Sequence, residues 1–442
     1  MSSISSGGQP VQFGSLATLD HREPWSLRDL GFAAVLFAAA VGITARFGSL
    51  MDVYGVAIFF LCVPALVYLG RLWPALRLFT LGCALLAASA IGLYGGQIAQ
   101  GEASFWLRYL LASQSAILWM SALFAFACIS YWVGLLASGP TALWMGSVLT
   151  WSACVMGFVG LLVRWHESFL ISPDVGHIPV SNLYEVFVLF CLITALFYLF
   201  YERRYGTRAL GGFVLLVIVA AVGFLVWYSG ARSAHEIAPL VPALQSWWMK
   251  IHVPANFVGY GTFSIAAMVA FAYLVKTSAQ SRSWRSLVPL FVLGVLLCAE
   301  PLVFRRSGLP SYWAIYFGCS VVLVGGILAV RSRIAAALPS LEVLDDVMYR
   351  AIAVGFAFFT VATILGALWA AEAWGTYWQW DPKETWALIV WLNYAAWLHL
   401  RLMKGLRGQF AAYWALVGLL ITGFAFLGVN MFLSGLHSYG QL

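Results

Sequence analysis

Apolar residues run in long stretches separated by short polar loops, and each stretch approaches the roughly 20 residues that carry a helix across a bilayer. Thirteen such stretches fall near 31–49, 52–70, 76–95, 110–137, 143–163, 183–201, 209–228, 253–275, 286–303, 311–330, 350–371, 383–402 and 412–435. Inside lipid every backbone N–H and C=O must find a partner within its own segment, so these stretches are expected to be helices. The pattern predicts an all-α, polytopic transmembrane helical bundle of about thirteen spans. The first 30 residues are polar and lack a basic start, an apolar stretch and a cleavage site, so no signal peptide is expected.

Composition agrees. Hydrophobic residues fill 62% of the 442 positions and charged residues only 9%, far below the roughly 25% of soluble domains. The net charge of +7 does not mark a nucleic-acid binder, because the basic residues are scattered over short loops. With the N-terminus placed in the cytoplasm, sixteen of the 24 Lys and Arg fall on the inner side and eight on the outer. The positive-inside rule then predicts an N-in, C-out topology, with Arg305 and Arg306 against it. The seven cysteines all lie in apolar stretches without a C-x-x-C pair, so they read as apolar packers and not as a thiol–disulfide couple.

This topology puts His166, His177, His235, His252 and His437 on or near the outer face, His399 low in the twelfth span, and His21 in the cytoplasmic tail. Imidazole is a common axial ligand of haem iron. Three outer stretches look organised: 164–182, 229–252 and 371–381. The densest chemistry is at 374–386, WGTYWQWDPKETW, where Trp374, Tyr377, Trp378, Trp380 and Trp386 crowd thirteen positions. Such rings form either an interfacial belt or a stacking platform for a large flat ligand such as a porphyrin. Asp381-Pro382-Lys383-Glu384 reads first as a capping box with Pro at the first helical position. Asn182 and Glu185 read the same way. Lys383 either pairs with an acidic group of a ligand or sits among headgroups.

The stretch WGTYWQWDPKETWALIVWLNYAAWLHLR resembles the tryptophan-rich WWD signature of the CcsA (ResC) family, the haem-handling half of the system II cytochrome c synthase. GHIPVSNLYE at 176–185, VPALQSWWMKIHV at 241–253, LPSLEVLDDVMYRAIAVGF at 338–356 and GVNMFLSGLHSYG at 428–440 are similar to other segments of that family. The resemblance covers roughly 110–276 and 338–442. It implies that His252 and His437 are the two external axial ligands of haem b, flanking the WWD segment. It further implies that Trp374, Tyr377, Trp378, Trp380, Asp381 and Lys383 belong to the haem-binding site, and that His399 is an intramembrane ligand. From Asp381 to His399 is about 27 Å along a helix, so the two haem positions are separate. His177 is expected to make a structural hydrogen bond, and His166 and His235 to be loop residues.

What the family does is an expectation too. It implies that haem is presented at the outer face for thioether attachment to an apocytochrome bearing C-x-x-C-H. The chain would act as a subunit of a synthase complex, with a separate CcsB (ResB)-type partner and thiol-reducing proteins nearby. The membrane is the bacterial cytoplasmic membrane or a thylakoid membrane, and no nucleic acid is involved. Two departures from the family pattern divide the chain: residues 1–109 hold a tail and three extra spans, and 279–337 insert two more. The core is then 110–278 and 338–442. The alternatives are a CcmC-like haem exporter or chaperone, a solute transporter, and a purely structural assembly factor.

Overall fold

The computed structural model describes residues 24–281, 284–303, 310–433 and 435. His21 and His437 lie outside them. Among the described residues there are helices and turns but no strand. The chain divides into two compact units, residues 1–78 and 79–442.

Thirteen long helices coincide with the thirteen apolar stretches. They are α1 (Leu27–Phe47), α2 (Val53–Leu72), α3 (Pro74–Tyr94), α4 (Ser113–Ala137), α5 (Pro140–Ile171), α6 (Leu183–Tyr205) and α7 (Gly211–Arg232). The series continues with α8 (Met249–Gln280), α9 (Trp284–Val303), α10 (Pro310–Ala329), α11 (Leu341–Trp374), α12 (Pro382–Lys404) and α13 (Gly408–Gly423). Ten are long and apolar enough to cross a membrane on those criteria alone, or eleven if α10 and the short helix after it, bent by 63°, count as one span. Those criteria take in only the described residues, Leu287–Ala299 of α9 and Ala314–Ala329 of α10, and α12 carries Asn393, His399 and Arg401 among its apolar residues.

Helix ends follow from local chemistry. The Asn182 side chain accepts from the Glu185 amide while Glu185 reaches back to the Asn182 backbone, and Gly206 ends α6 at φ 63°. Asp381 and Glu384 make the same reciprocal cap on α12, with Pro382 behind the cap, and Gly405 ends the helix at φ 67°. Each cap satisfies N–H groups that the helix itself leaves open, a contribution of roughly 1 kcal/mol.

In the first unit, Ser26 and Asp29 form the capping box of α1, and Asp29 pairs with Arg77. In the second unit α8 is central: 83% of its most apolar stretch is buried. It packs against α6, α7, α11 and α13, while α4 and α5 form a close antiparallel pair beside them. That pair approaches tightly because of Gly146, where a Cβ would come within 2.8 Å of the Tyr131 ring. Small residues at such crossings are how helices pack in lipid, where the hydrophobic drive between spans is absent. At the end of α6, the half-buried Glu202 accepts from Tyr131 Oη at 2.8 Å, Tyr198 Oη at 2.7 Å and Ser147 Oγ at 2.6 Å, so its carboxylate is met by donors. α9 packs on α10, α8 and α13. All seven cysteines are free; Cys83, Cys128, Cys154 and Cys191 are buried, and Cys62 and Cys319 are exposed.

After Gly423, helix α13 widens into a π turn, Phe424–Gly428, before a last short turn at Val429–Phe432. π turns are rare and are frequent at functional sites. This one lies beside the cavity described next.

Candidate functional site

A cavity of about 370 Å³ opens where α6, α8, α11, the start of α12 and the loops 172–182 and 233–248 meet. Its volume lies in the range of small-molecule sites. Its floor is apolar: Val180, Leu244, Met249, Val253, Phe257 and Trp369 form one buried cluster, with Trp374 packed against it. His252, Asn256, Tyr377, Trp378, Lys383 and His177 are among the residues that face the space.

His252 is held by the fold. Its Nδ1 lies 2.8 Å from the Ala362 carbonyl of α11. A carbonyl only accepts, so Nδ1 carries the proton and Nε2 carries the lone pair. Asn256, one turn further along α8, lies with Nδ2 3.2 Å from that Nε2. The ring fits this close to α11 because residue 366 is glycine; a Cβ there would come within 2.8 Å of His252 Cε1. An imidazole in a cavity wall whose Nδ1–H is tied to a backbone carbonyl has the tautomer and the outer support of a metal-ligating histidine, and here Asn256 meets its Nε2.

The aromatic segment is divided by the structure. Tyr377 and Trp378 line the cavity. Trp374 packs 5.2 Å from Trp369 beneath it. Trp386 turns to Phe424 at 4.3 Å. Trp380 is 68% exposed and stands edge-on to Trp378 at 5.9 Å. Its φ of +57° costs an L-residue about 1–2 kcal/mol. Strain of this kind persists where the surroundings over-determine it, and it collects at ligand sites.

Asp381 is buried and caps α12, its Oδ1 accepting from the Lys383 amide at 2.8 Å. Gly435 lies against it so closely that a Cβ there would collide with the carboxylate. The described C-terminal segment thus reaches the head of α12 two residues before His437. Lys383 donates its Nζ to the carbonyls of Phe426 at 3.0 Å and Ala425 at 3.3 Å, and stands 5.7 Å from the Phe426 ring. It therefore ties α12 to the π turn at the cavity wall. His399 is exposed on α12, on the same face as Leu392, Ala396 and Met403, and does not line the cavity.

A buried ion pair supports the rim. Arg164 Nε donates to Glu185 Oε1 at 2.8 Å, with both side chains at most 2% exposed. The same guanidinium donates to the carbonyls of His235 at 2.6 Å and Glu236 at 3.2 Å. Glu185 Oε2 also accepts from the Ser181 amide at 3.0 Å. One pair thus fixes α5, α6 and both cavity loops. His177 is part of it, with Nδ1 2.7 Å from the Val175 carbonyl and Nε2 3.8 Å from Glu185 Oε1. Both ring nitrogens face acceptors, so the protonated form is favoured. Burial opposes the charge, but the Glu185 carboxylate and the Val175 carbonyl outweigh it and Arg164, raising the pKa above its ordinary 6.5. Such a group stabilises the fold fully below pH 6.5 and loses that contribution as pH rises through the raised value. The unfolding midpoint of the detergent-solubilised chain should therefore fall as pH climbs from 6.5. His177→Gln should remove that step; an unchanged profile would separate His177 from it.

Sequence reasoning missed Asn256, Trp369, Gly366 and Phe426. Asn256 had a signal, since a residue four after a histidine shares its helix face. The others depend on contacts across the fold. Among the described residues no group of three or more His, Cys, Asp and Glu could hold a bare metal ion.

Fold and site together define a multi-pass helical membrane protein with a small-molecule cavity at the head of its WWD segment. Residues 180–437 match the family described as cytochrome C assembly protein, and the chain belongs to that family. Several relatives are cytochrome c biogenesis proteins CcsA. The one from Synechococcus elongatus is 36% identical over 272 residues, covering 60% of this chain and 80% of that protein. The one from Guillardia theta is 37% identical over 281 residues, covering 63% and 80%. That of Chlorella vulgaris is 35% identical over 283 residues, covering 64% and 81%.

Proposed function

We infer that this chain serves cytochrome c maturation by holding haem b at the outer face of the membrane for thioether attachment to an apocytochrome. The observation that carries the reading is His252: its Nδ1–H is fixed on Ala362, its Nε2 meets Asn256, and both residues line an aromatic-walled cavity. His437 would supply a second imidazole to the haem iron, on the strength of the family motif. Tyr377 and Trp378 flank the flat ligand, and Trp374 supports them from below. Asp381 and Lys383 hold the head of α12 and the π turn in place around it; Trp380 completes the outer edge.

The chemistry adds two thiols of a C-x-x-C-H segment across the two vinyl groups of haem. Each S–H adds over a C=C, sulfur to one carbon and hydrogen to the other, with no net redox change. This chain's part is to bind and orient. Fixing the acceptor relative to an incoming thiol turns a bimolecular step into an effectively unimolecular one. An apolar floor excludes water beneath the ring plane.

His399 marks a second haem position nearer the inner leaflet. It sits on an exposed, otherwise apolar face of α12, which suits completion by a ligand from a CcsB/ResB-type partner. The N-in, C-out orientation places the cavity on the outer side, in a bacterial cytoplasmic or a thylakoid membrane.

The test is purification of the chain with its partner from a haem-replete host carrying a C-x-x-C-H reporter. A bis-imidazole absorption spectrum in the complex and covalent haem on the reporter are expected. A complex that carries no haem while the reporter still matures would overturn the reading in favour of a structural assembly role.

A further inference from the structure

A second cavity, of about 420 Å³, lies between the inserted pair α9 and α10 and the core helices α6, α7, α8 and α13. It shares Tyr260 and Phe426 with the first cavity, so those two rings form a partition between them. Its character is different. Among the described residues no Asp, Glu, Lys, Arg or His lines it. Three of its hydroxyls are turned back onto carbonyls of their own helices. Ser264 Oγ donates to Tyr260 O at 2.8 Å, Ser320 Oγ to Tyr316 O at 2.9 Å, and Thr422 Oγ1 to Gly418 O at 2.7 Å. The wall therefore presents mainly hydrocarbon and aromatic surface.

The cavity also opens sideways. Ala220 of α7, and Cys319 and Leu323 of α10, both line it and are exposed. An apolar void of this size is costly when empty, since the loss grows with cavity volume. Water does not fill it, because a water needs two to four polar partners. Its described lining offers no cation to a carboxylate-bearing ligand such as haem. A polar-headed lipid can enter only by its tail.

The geometry points to a binding site for one hydrocarbon chain of a bilayer lipid, entering between α7 and α10 and ending against Phe426. The chain fills the gap left by the insertion and backs the π turn on the side away from the first cavity. The site stands on the second cavity's own lining and opening, and is independent of whether the first cavity holds haem.

The experiment places the full chain in phosphatidylcholine nanodiscs. These hold a trace of phosphatidylcholine carrying a photoactivatable diazirine either at the acyl-chain end or at the headgroup. Crosslinks are mapped by mass spectrometry. With the chain-end probe, labelling is expected to concentrate on residues 216–224 and 316–327, well above that on α1. Ala220→Trp and, separately, Cys319→Trp narrow the entrance from opposite sides. Each should bring that labelling down to the α1 level while α1 labelling and circular dichroism stay unchanged. Labelling of 216–224 and 316–327 no higher than that of α1, labelling unchanged in both variants, or a preference for the headgroup probe would each overturn the proposal.

Discussion

Replacing His252 with glycine should strip the outer haem from the purified complex, and added imidazole should restore it. The glycine leaves a hole of the right shape in front of Gly366, and free imidazole can use the same Ala362 carbonyl for its N–H. The spectrum should pass from bis-imidazole to none or weakened, then back on titration. Glycine at 437 should behave alike. A companion variant tests orientation alone. Gly366→Val puts carbon where the His252 ring now rests, within 2.8 Å for the first atom. The ligand stays but its aim is lost, an effect of roughly 10–100-fold on affinity when an outer support of a metal ligand is removed. Imidazole should not rescue Gly366→Val. An unchanged spectrum in His252→Gly would remove the external ligand assignment and leave His399 as the remaining candidate.

Arg164→Met should destabilise the chain by about 3–5 kcal/mol, the range for leaving a buried charge without its partner. Glu185 would keep the Ser181 amide but lose the guanidinium, and the loop carbonyls of His235 and Glu236 would lose their donor as well. Unfolding by SDS titration, followed by circular dichroism, reads this directly. The double variant Arg164→Met, Glu185→Gln should recover most of the loss, because glutamine keeps the helix cap and removes the stranded charge. A double variant as weak as the single would show that the loop hydrogen bonds, and not the charge, dominate.

The parts of this molecule that sequence makes legible are the local ones. Asp381 with Glu384, and Asn182 with Glu185, announce their caps within four residues, and the structure places both. Apolar stretches announce helices because lipid leaves the backbone no other solution. The WWD segment announces a site by density of rings, but not which rings face it. That division depends on the reversal between α11 and α12, where Gly375 and Trp380 both adopt positive φ. A glycine signals such a turn; a tryptophan does not. The aim of His252 depends on Ala362, 110 residues away, and no local pattern encodes it. Phe426 is one of 31 phenylalanines, so nothing in the chain distinguishes it until two cavities are seen on either side of it. Lys383 illustrates the same limit: its Nζ bonds the backbone of Phe426 and Ala425, more than forty positions away, and no local pattern encodes that.

The π turn at Phe424–Gly428 also bears on how this helix can change over time. A π turn holds about one residue more than an α turn of similar rise, so this stretch carries one residue beyond ordinary winding. Removing one residue there would restore ordinary winding and swing everything beyond it by about 100° about the axis. Phe426 and Asn430 would leave the cavity wall, and the segment leading to Gly435 would miss the head of α12. A frame-preserving deletion of one codon in this stretch should thus be far more damaging than most point substitutions around it, although the apolar character of the span would hardly change.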